Sequence, residues 1–172
     1  MSSIWFRLMA LEFKIRDYRR PRANILKEVG IKPGFQVLDF GCGPGGYVLA
    51  TSKLVRETGK VYALDVTPLA IKMVKSIVEK NGLKNVESIL SDCATGLPDE
   101  SLDVVLFDVF HGLEDKQAVL REIYRVLKQD GLLSFSDHHL KEPDILTRVA
   151  EGKLFRLIKK GEFTYSFVKT EA

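Results

Sequence analysis

The chain has 172 residues, 45% of them apolar, a formal charge of +3 and two cysteines. That length supplies one well-buried core but no separate substrate domain of ordinary size, so a single domain over residues 1–172 is expected. Charges interrupt every apolar stretch short of the roughly 20 residues a membrane span needs, and the opening residues lack a secretory layout; a cytoplasmic protein without a transmembrane segment is expected.

Residues 1–30 carry seven Lys/Arg against three acids, interleaved with Trp5, Phe6, Leu8, Met9, Leu11, Phe13 and Ile15. This mixture fits an N-terminal helical segment that packs one face and solvates the other, and that covers the active site. At most a weak association with a membrane surface is expected from it.

Next, the run FQVLDF at 35–40 reads as a strand and is followed by Gly41, Gly43, Gly45 and Gly46. The glycines match both G-x-G-x-G and the dinucleotide fingerprint G-x-G-x-x-G, so the motif alone leaves a nicotinamide and another adenosyl ligand equally open. A second strand is predicted at 60–65 (KVYALD). Thr67-Pro68 then starts a helix by a capping hydroxyl and a first-turn proline, with Leu69, Met73, Val74, Ile77 and Val78 as its buried stripe and Asn81-Gly82 as its stop. Strands follow at 86–91 and 102–108, a helix at about 115–128 that ends before Asp130-Gly131, and a strand at 132–136. In the tail, 153–159 and 162–169 are separated only by Lys160-Gly161, which predicts an antiparallel hairpin. The sum is an α/β fold: a Rossmann-like, mostly parallel sheet with helices on both faces and a C-terminal antiparallel hairpin.

In an open sheet of this kind ligands sit beyond the carboxyl ends of the strands. Those ends carry Asp39, Asp65, Asp92, Asp108 and Asp137. Asp65, 19 residues after Gly46, stands where a carboxylate accepts both hydroxyls of an adenosine ribose. Asp39, just before the first glycine, puts negative charge where a diphosphate is repelled and an ammonium or sulfonium is tolerated. Asp92 accepts from an adenine amino group, and the Cys93 segment offers a backbone N–H to a ring nitrogen. Cys42 and Cys93 form no CxxC pair, and Cys42 reads as a small packing residue.

VLDFGCGPG, VYALDVTP, SDCATGLPDESLDVVLFDVFHGLED and LREIYRVLKQDGLLSFSDHH together resemble the class I S-adenosylmethionine-dependent methyltransferases, in particular small members similar to the ubiquinone/menaquinone-biosynthesis type (methyltransferase type 11), over roughly residues 15–170. The resemblance implies a seven-stranded sheet whose last strand is inserted antiparallel. It implies S-adenosyl-L-methionine as cofactor and S-adenosyl-L-homocysteine as product. Gly41, Gly43 and Gly45 would then line the methionine moiety, with Asp39 orienting the loop and the ammonium. Asp65 would bind ribose, Val66 flank the adenine, Asp92 and Cys93 read its edge, and Asp108 lie near the methionine group and the acceptor's mouth.

The chemistry expected is in-line transfer of a methyl group to a small-molecule acceptor, for which positioning matters most. Candidates for a general base, should the acceptor arrive protonated, are His111 and Asp108 first, then His138 and His139. No metal is expected, because no HxxxH or HxH spacing presets ligands. Tyr18, Arg19 and Arg20 are placed to close over the methionine end. Nucleic acid is not an expected substrate, since DVFH rather than an asparagine-proline-proline-aromatic signature follows the fourth strand. A monomer or homodimer is expected. Two other readings remain: an inert cofactor-binding partner of a larger enzyme, and an NAD(P)-dependent oxidoreductase.

Overall fold

A computed structural model describes residues 22–136, 142–150 and 152–170, with the side chains of 111, 142–144 and 150 outside the description. Among the described residues the centre is a seven-stranded sheet in the order β3-β2-β1-β4-β5-β7-β6. β1 (Gln36–Phe40), β2 (Lys60–Asp65), β3 (Val86–Leu90), β4 (Leu102–Phe107) and β5 (Leu127–Phe135) are parallel. β6 (Phe155–Lys160) and β7 (Tyr165–Lys169) form an antiparallel hairpin, and β7 is the strand inserted beside β5.

The central strands are apolar almost without a break because both their faces are covered. The pleat sends alternate residues to opposite sides. Leu38, Phe40, Val105 and Phe107 pack on one side with α4 (Lys116–Val126) and α5 (Glu142–Ala150). Val37, Val61, Val104 and Leu106 pack on the other with α1 (Arg22–Val29) and α2 (Val48–Val55). α3 (Pro68–Asn81) joins that second side through Val74, beside Val48 and Ala63. No described helix is long and apolar enough to cross a membrane.

Several boundaries depart from the sequence expectation, each for a physical reason. The Thr67 hydroxyl makes no cap; the Thr67 N–H instead donates to Asp65 Oδ1 at 2.8 Å. The buried stripe of α3 is Ala70, Ile71 and Val74, while Leu69, Met73, Ile77 and Val78 are only half-buried. The second predicted helix stops at Val126, because Leu127 is already extended and pairs with Leu102. β5 therefore begins five residues early and passes Asp130-Gly131 through an irregularity, the register jumping from Leu127 to Leu132. The hairpin turn is 161–164 and not Lys160-Gly161. There the Glu28 carboxylate accepts N–H groups of Glu162, Phe163 and Thr164 at 2.9–3.2 Å, which ties α1 to the turn. Residues 1–21 and 137–141 lie outside the described residues, and with them the expectations for Tyr18, Arg19, Arg20, Asp137, His138 and His139.

The ends of β1, β4 and β5 are locked to one another by aromatic rings. Phe107, 1% exposed, meets Phe40, Phe110 and Phe135 edge-on at 5.5, 6.0 and 5.5 Å. Truncation there removes buried surface and three favourable ring contacts together. Phe107→Ala is expected to lower the free energy of unfolding by about 3–5 kcal/mol in urea titrations; a loss below about 1 kcal/mol contradicts this packing.

Candidate active site

The carboxyl ends of β1, β2 and β4 open onto one crevice, because the chain leaves β1 for β2 on one side and later places β4 on the other. Such a switch point is where an open α/β sheet binds its ligand. A cavity of about 140 Å³ lies there. Its wall takes Phe40 and Gly41 from the end of β1, Leu64, Asp65 and Val66 from the end of β2, Ser91 and Asp92 after β3, and Val109, Gly112 and Leu113 after β4.

The crook after β1 is built against β2. Leu64 O accepts from the N–H of both Gly41 and Cys42 at 2.8 and 2.9 Å, and Asp65 Oδ2 accepts from the Gly43 N–H at 2.9 Å. With the Thr67 N–H on its other oxygen, the Asp65 carboxylate uses two of about four acceptor positions, and two remain for hydroxyls of a ligand. Gly41 (φ +79°) faces Val109, whose methyl groups lie 2.5 Å from where a Cβ would stand. Any side chain here fills the crevice. A Cβ on Gly45 would lie 2.9 Å from Ile77 Cδ1 and 3.2 Å from Val74 Cγ2, so its absence lets α3 pack on the loop.

Beneath the crook sits Asp39, 4% exposed, with Oδ2 buried and unpartnered among the described residues. Burial pushes its carboxyl up from the ordinary 3.8 to about 7; the Arg22 guanidinium opposes this, and the carboxylates of Asp108 and Asp65 reinforce it. Arg22 itself lies 4.7 Å over the Tyr47 ring, in the space a side chain on Gly46 would need. Burial first, then Asp39 and Asp65, raise the Cys42 thiol, so it stays protonated and is no nucleophile. Burial likewise raises Cys93.

Gly41, Asp65, Val66 and Asp92 thus share one cavity wall, with Gly43 held by Asp65 and with Asp39 and Asp108 electrostatically coupled below. Val66 is apolar yet 64% exposed at its rim. Cys93 packs its side chain toward the main core, and its N–H donates to Ser91 Oγ at 3.3 Å. His111 lies on the short 3-10 turn Phe110–Gly112 after β4. Sequence reasoning missed Ser91, Val109 and Leu113, which line the cavity, and Arg22, which lies over the crook. The signal for Ser91 was its place between the last strand residue and Asp92.

Comparison with known proteins agrees with this geometry. A family profile described as "Methyltransferase domain" matches residues 31–170. The chain belongs to the class I S-adenosylmethionine-dependent methyltransferase family. It is 36% identical over 126 residues to the demethylmenaquinone methyltransferase of Lactococcus lactis, covering 70% of this chain and 48% of that protein. It is also 36% identical over 113 residues to mouse arsenite methyltransferase, covering 59% and 30%. The chain spans about half the length, or less, of these curated relatives. Among solved structures, a SAM-dependent methyltransferase from Aquifex aeolicus superimposes with a TM-score of 0.78 at 30% identity, over 86% of this chain and 89% of that one.

The buried Asp39 carboxyl gives a pH signature. Its proton affinity is raised on folding, so its contribution is most favourable below the unfolded value near 4 and is lost as the pH rises through about 7. Asp39→Asn abolishes this titration. The stability of the variant relative to wild type, read from thermal unfolding, is expected to rise between about pH 4 and about pH 7 and to level off above. The total is a few kcal/mol, at about 1.4 kcal/mol for each tenfold change in proton affinity. A gap constant with pH contradicts the assignment.

Proposed function

We propose that this chain is an S-adenosylmethionine-dependent methyltransferase that passes a methyl group to a small-molecule acceptor by in-line displacement, releasing S-adenosyl-L-homocysteine. The observation that carries the reading is the unpartnered, buried oxygen of Asp39 under a crook too tight for any Cβ at Gly41. An acceptor left in a desolvated site is satisfied by a cationic ligand and repels a diphosphate, which disfavours a nicotinamide dinucleotide.

When bound, the cofactor supplies a sulfonium-activated methyl carbon. The chain's own residues then bind and orient. The two spare acceptor positions of Asp65 take the ribose hydroxyls, Val66 covers the adenine face, and Asp92 and Ser91 meet its edge. Asp39 meets the ammonium, with its proton displaced as the positive charge arrives. Gly41 and Gly43 keep the crook low enough for that approach. Positioning two reactants is worth about 7–11 kcal/mol of barrier by itself, so little further machinery is required. Asp108 and His111, both just after β4, are the groups proposed to take up an acceptor's proton.

The relatives named above act, by their names, on demethylmenaquinone and on arsenite. Both are small molecules, and that supports a small-molecule acceptor here. The two cysteines are unpaired, which supports the cytoplasm as its place.

The test is transfer of labelled methyl from S-adenosylmethionine to a fractionated cell extract. Label is expected in a low-molecular-weight fraction. Label confined to nucleic acid or protein, or absent throughout, contradicts the proposal. Asp65→Asn exchanges an acceptor for a donor facing the backbone, and S-adenosylhomocysteine binding should weaken by roughly 10–100-fold, the worth of a charge-assisted hydrogen bond. An unchanged Kd removes Asp65 from the ribose site.

A further inference from the structure

Residues 91–101 connect β3 to β4 without strand or helix, yet they carry Ser91 and Asp92 to the cavity wall. A segment that presents polar groups to a ligand must itself be held. Its first residue is tied to β2, the Ser91 N–H donating to the Asp65 carbonyl at 3.1 Å, and the rest is held from α4. Glu122 Oε1 accepts from both the Thr95 N–H at 2.8 Å and the Thr95 hydroxyl at 2.6 Å. Arg125, one turn on, donates to both Glu122 oxygens at 2.8 and 2.9 Å and to Asp99 Oδ1 at 2.5 Å. Backbone bonds extend the strap, from Glu100 and Ser101 N–H to Arg125 and Val126 carbonyls.

We infer that Glu122 is a positioning residue that fixes the 91–99 segment, and so sets selectivity for a 6-amino purine at a site it does not touch. The inference rests on the proposed adenosyl reading of the cavity. Three features make Glu122 the keystone. Its carboxylate is engaged by four donors on two oxygens, which fixes its orientation toward Thr95. Thr95 is only 4% exposed, so its N–H and hydroxyl depend on Glu122 for an acceptor. Arg125 above all, aided by the Thr95 bonds, holds the Glu122 carboxyl down at about 2, so the charged acceptor persists across the physiological range.

The consequence is directional. Thr95 lies three residues past Asp92, so loss of the strap displaces the purine end of the wall. The Asp65 clamp on Gly43 and Thr67 hangs from β2 and is untouched. Binding energy from ribose and methionine contacts should survive while recognition of the amino group is lost. A carboxylate at Asp92 accepts from a 6-amino group and repels a 6-oxo group, so the inosyl analogue, which also carries a hydrogen on ring N1, reports on the purine edge and not on the ribose or methionine contacts.

The experiment compares S-adenosyl-L-homocysteine with S-inosyl-L-homocysteine by calorimetry on wild type, Glu122→Ala, Glu122→Gln and Thr95→Val, with circular dichroism and thermal melts on each. Wild type is expected to prefer the adenosyl compound by about tenfold or more, the worth of a charge-assisted hydrogen bond. In Glu122→Ala that preference should fall to about unity, with inosyl binding within about twofold of wild type, as the lost hydrogen bond predicts. Glu122→Gln keeps an acceptor for Thr95 and should retain an intermediate preference. Thr95→Val, which keeps volume and deletes only the hydroxyl, should lower the preference and decides the matter if the alanine variant does not fold. Folded variants that melt earlier but keep the wild-type preference overturn the inference and leave Glu122 a stabilising residue only. A wild type that binds S-adenosylhomocysteine with no preference overturns the reading of the adenine edge instead, and this inference with it.

Discussion

Asp65 holds the site's two halves together. Its carboxylate ends β2 and accepts one N–H from the glycine crook after β1 and one from the start of α3. The crook thereby takes its shape from a neighbouring strand and not from its own local preference. Gly41 and Cys42 add the same dependence by sharing the Leu64 carbonyl. A carboxylate held by two amides has a fixed orientation, and its remaining lone pairs are the ones the proposed reading gives to the ribose hydroxyls. Fold and cavity are therefore one construction: the bonds that shape the crook also orient the carboxylate that lines the cavity.

The same compactness explains the electrostatics. Asp39, Asp65 and Asp108 converge at the end of three adjacent strands, and Arg22 is the described cation that offsets them at Asp39. Such convergence costs stability in the empty protein, since a desolvated carboxyl neighbours two others. A bound cation relieves it. The site is thus poised to favour a positively charged ligand before any shape complementarity operates, and it does so with residues already needed to terminate strands.

Much of the fold was legible because the central strands are so consistently apolar: VLDF, VYALD and LDVVLF fit strands covered on both faces. The strand-end rule then pointed to Asp65 and Asp92, and the family resemblance to Val66, all of which line the cavity beside Gly41. What escaped was decided by partners distant in sequence. Thr67 looks like a helix cap, but Asp65 claims its N–H. The packing of α3 against Gly45 had no local signal. α2 lacks a capping side chain and gives no boundary signal. The longer turn before β7 exists because Glu28, more than 130 residues away, gathers its amides. Glu122 carries no local signal either, since its bonds to Thr95 cross 27 residues that no periodicity encodes. Arg22 was hidden within a basic run whose members are interchangeable by composition and distinct only in reach.

By the proposed reading, acids around this crook select a cationic adenosyl ligand over a doubly phosphorylated one. Calorimetric titration of the purified chain with S-adenosylmethionine and with NADH, in the same buffer, tests it most directly. Micromolar binding of the sulfonium compound is expected, with no measurable heat from the dinucleotide. Tighter binding of NADH, or equal binding of the two, would contradict it.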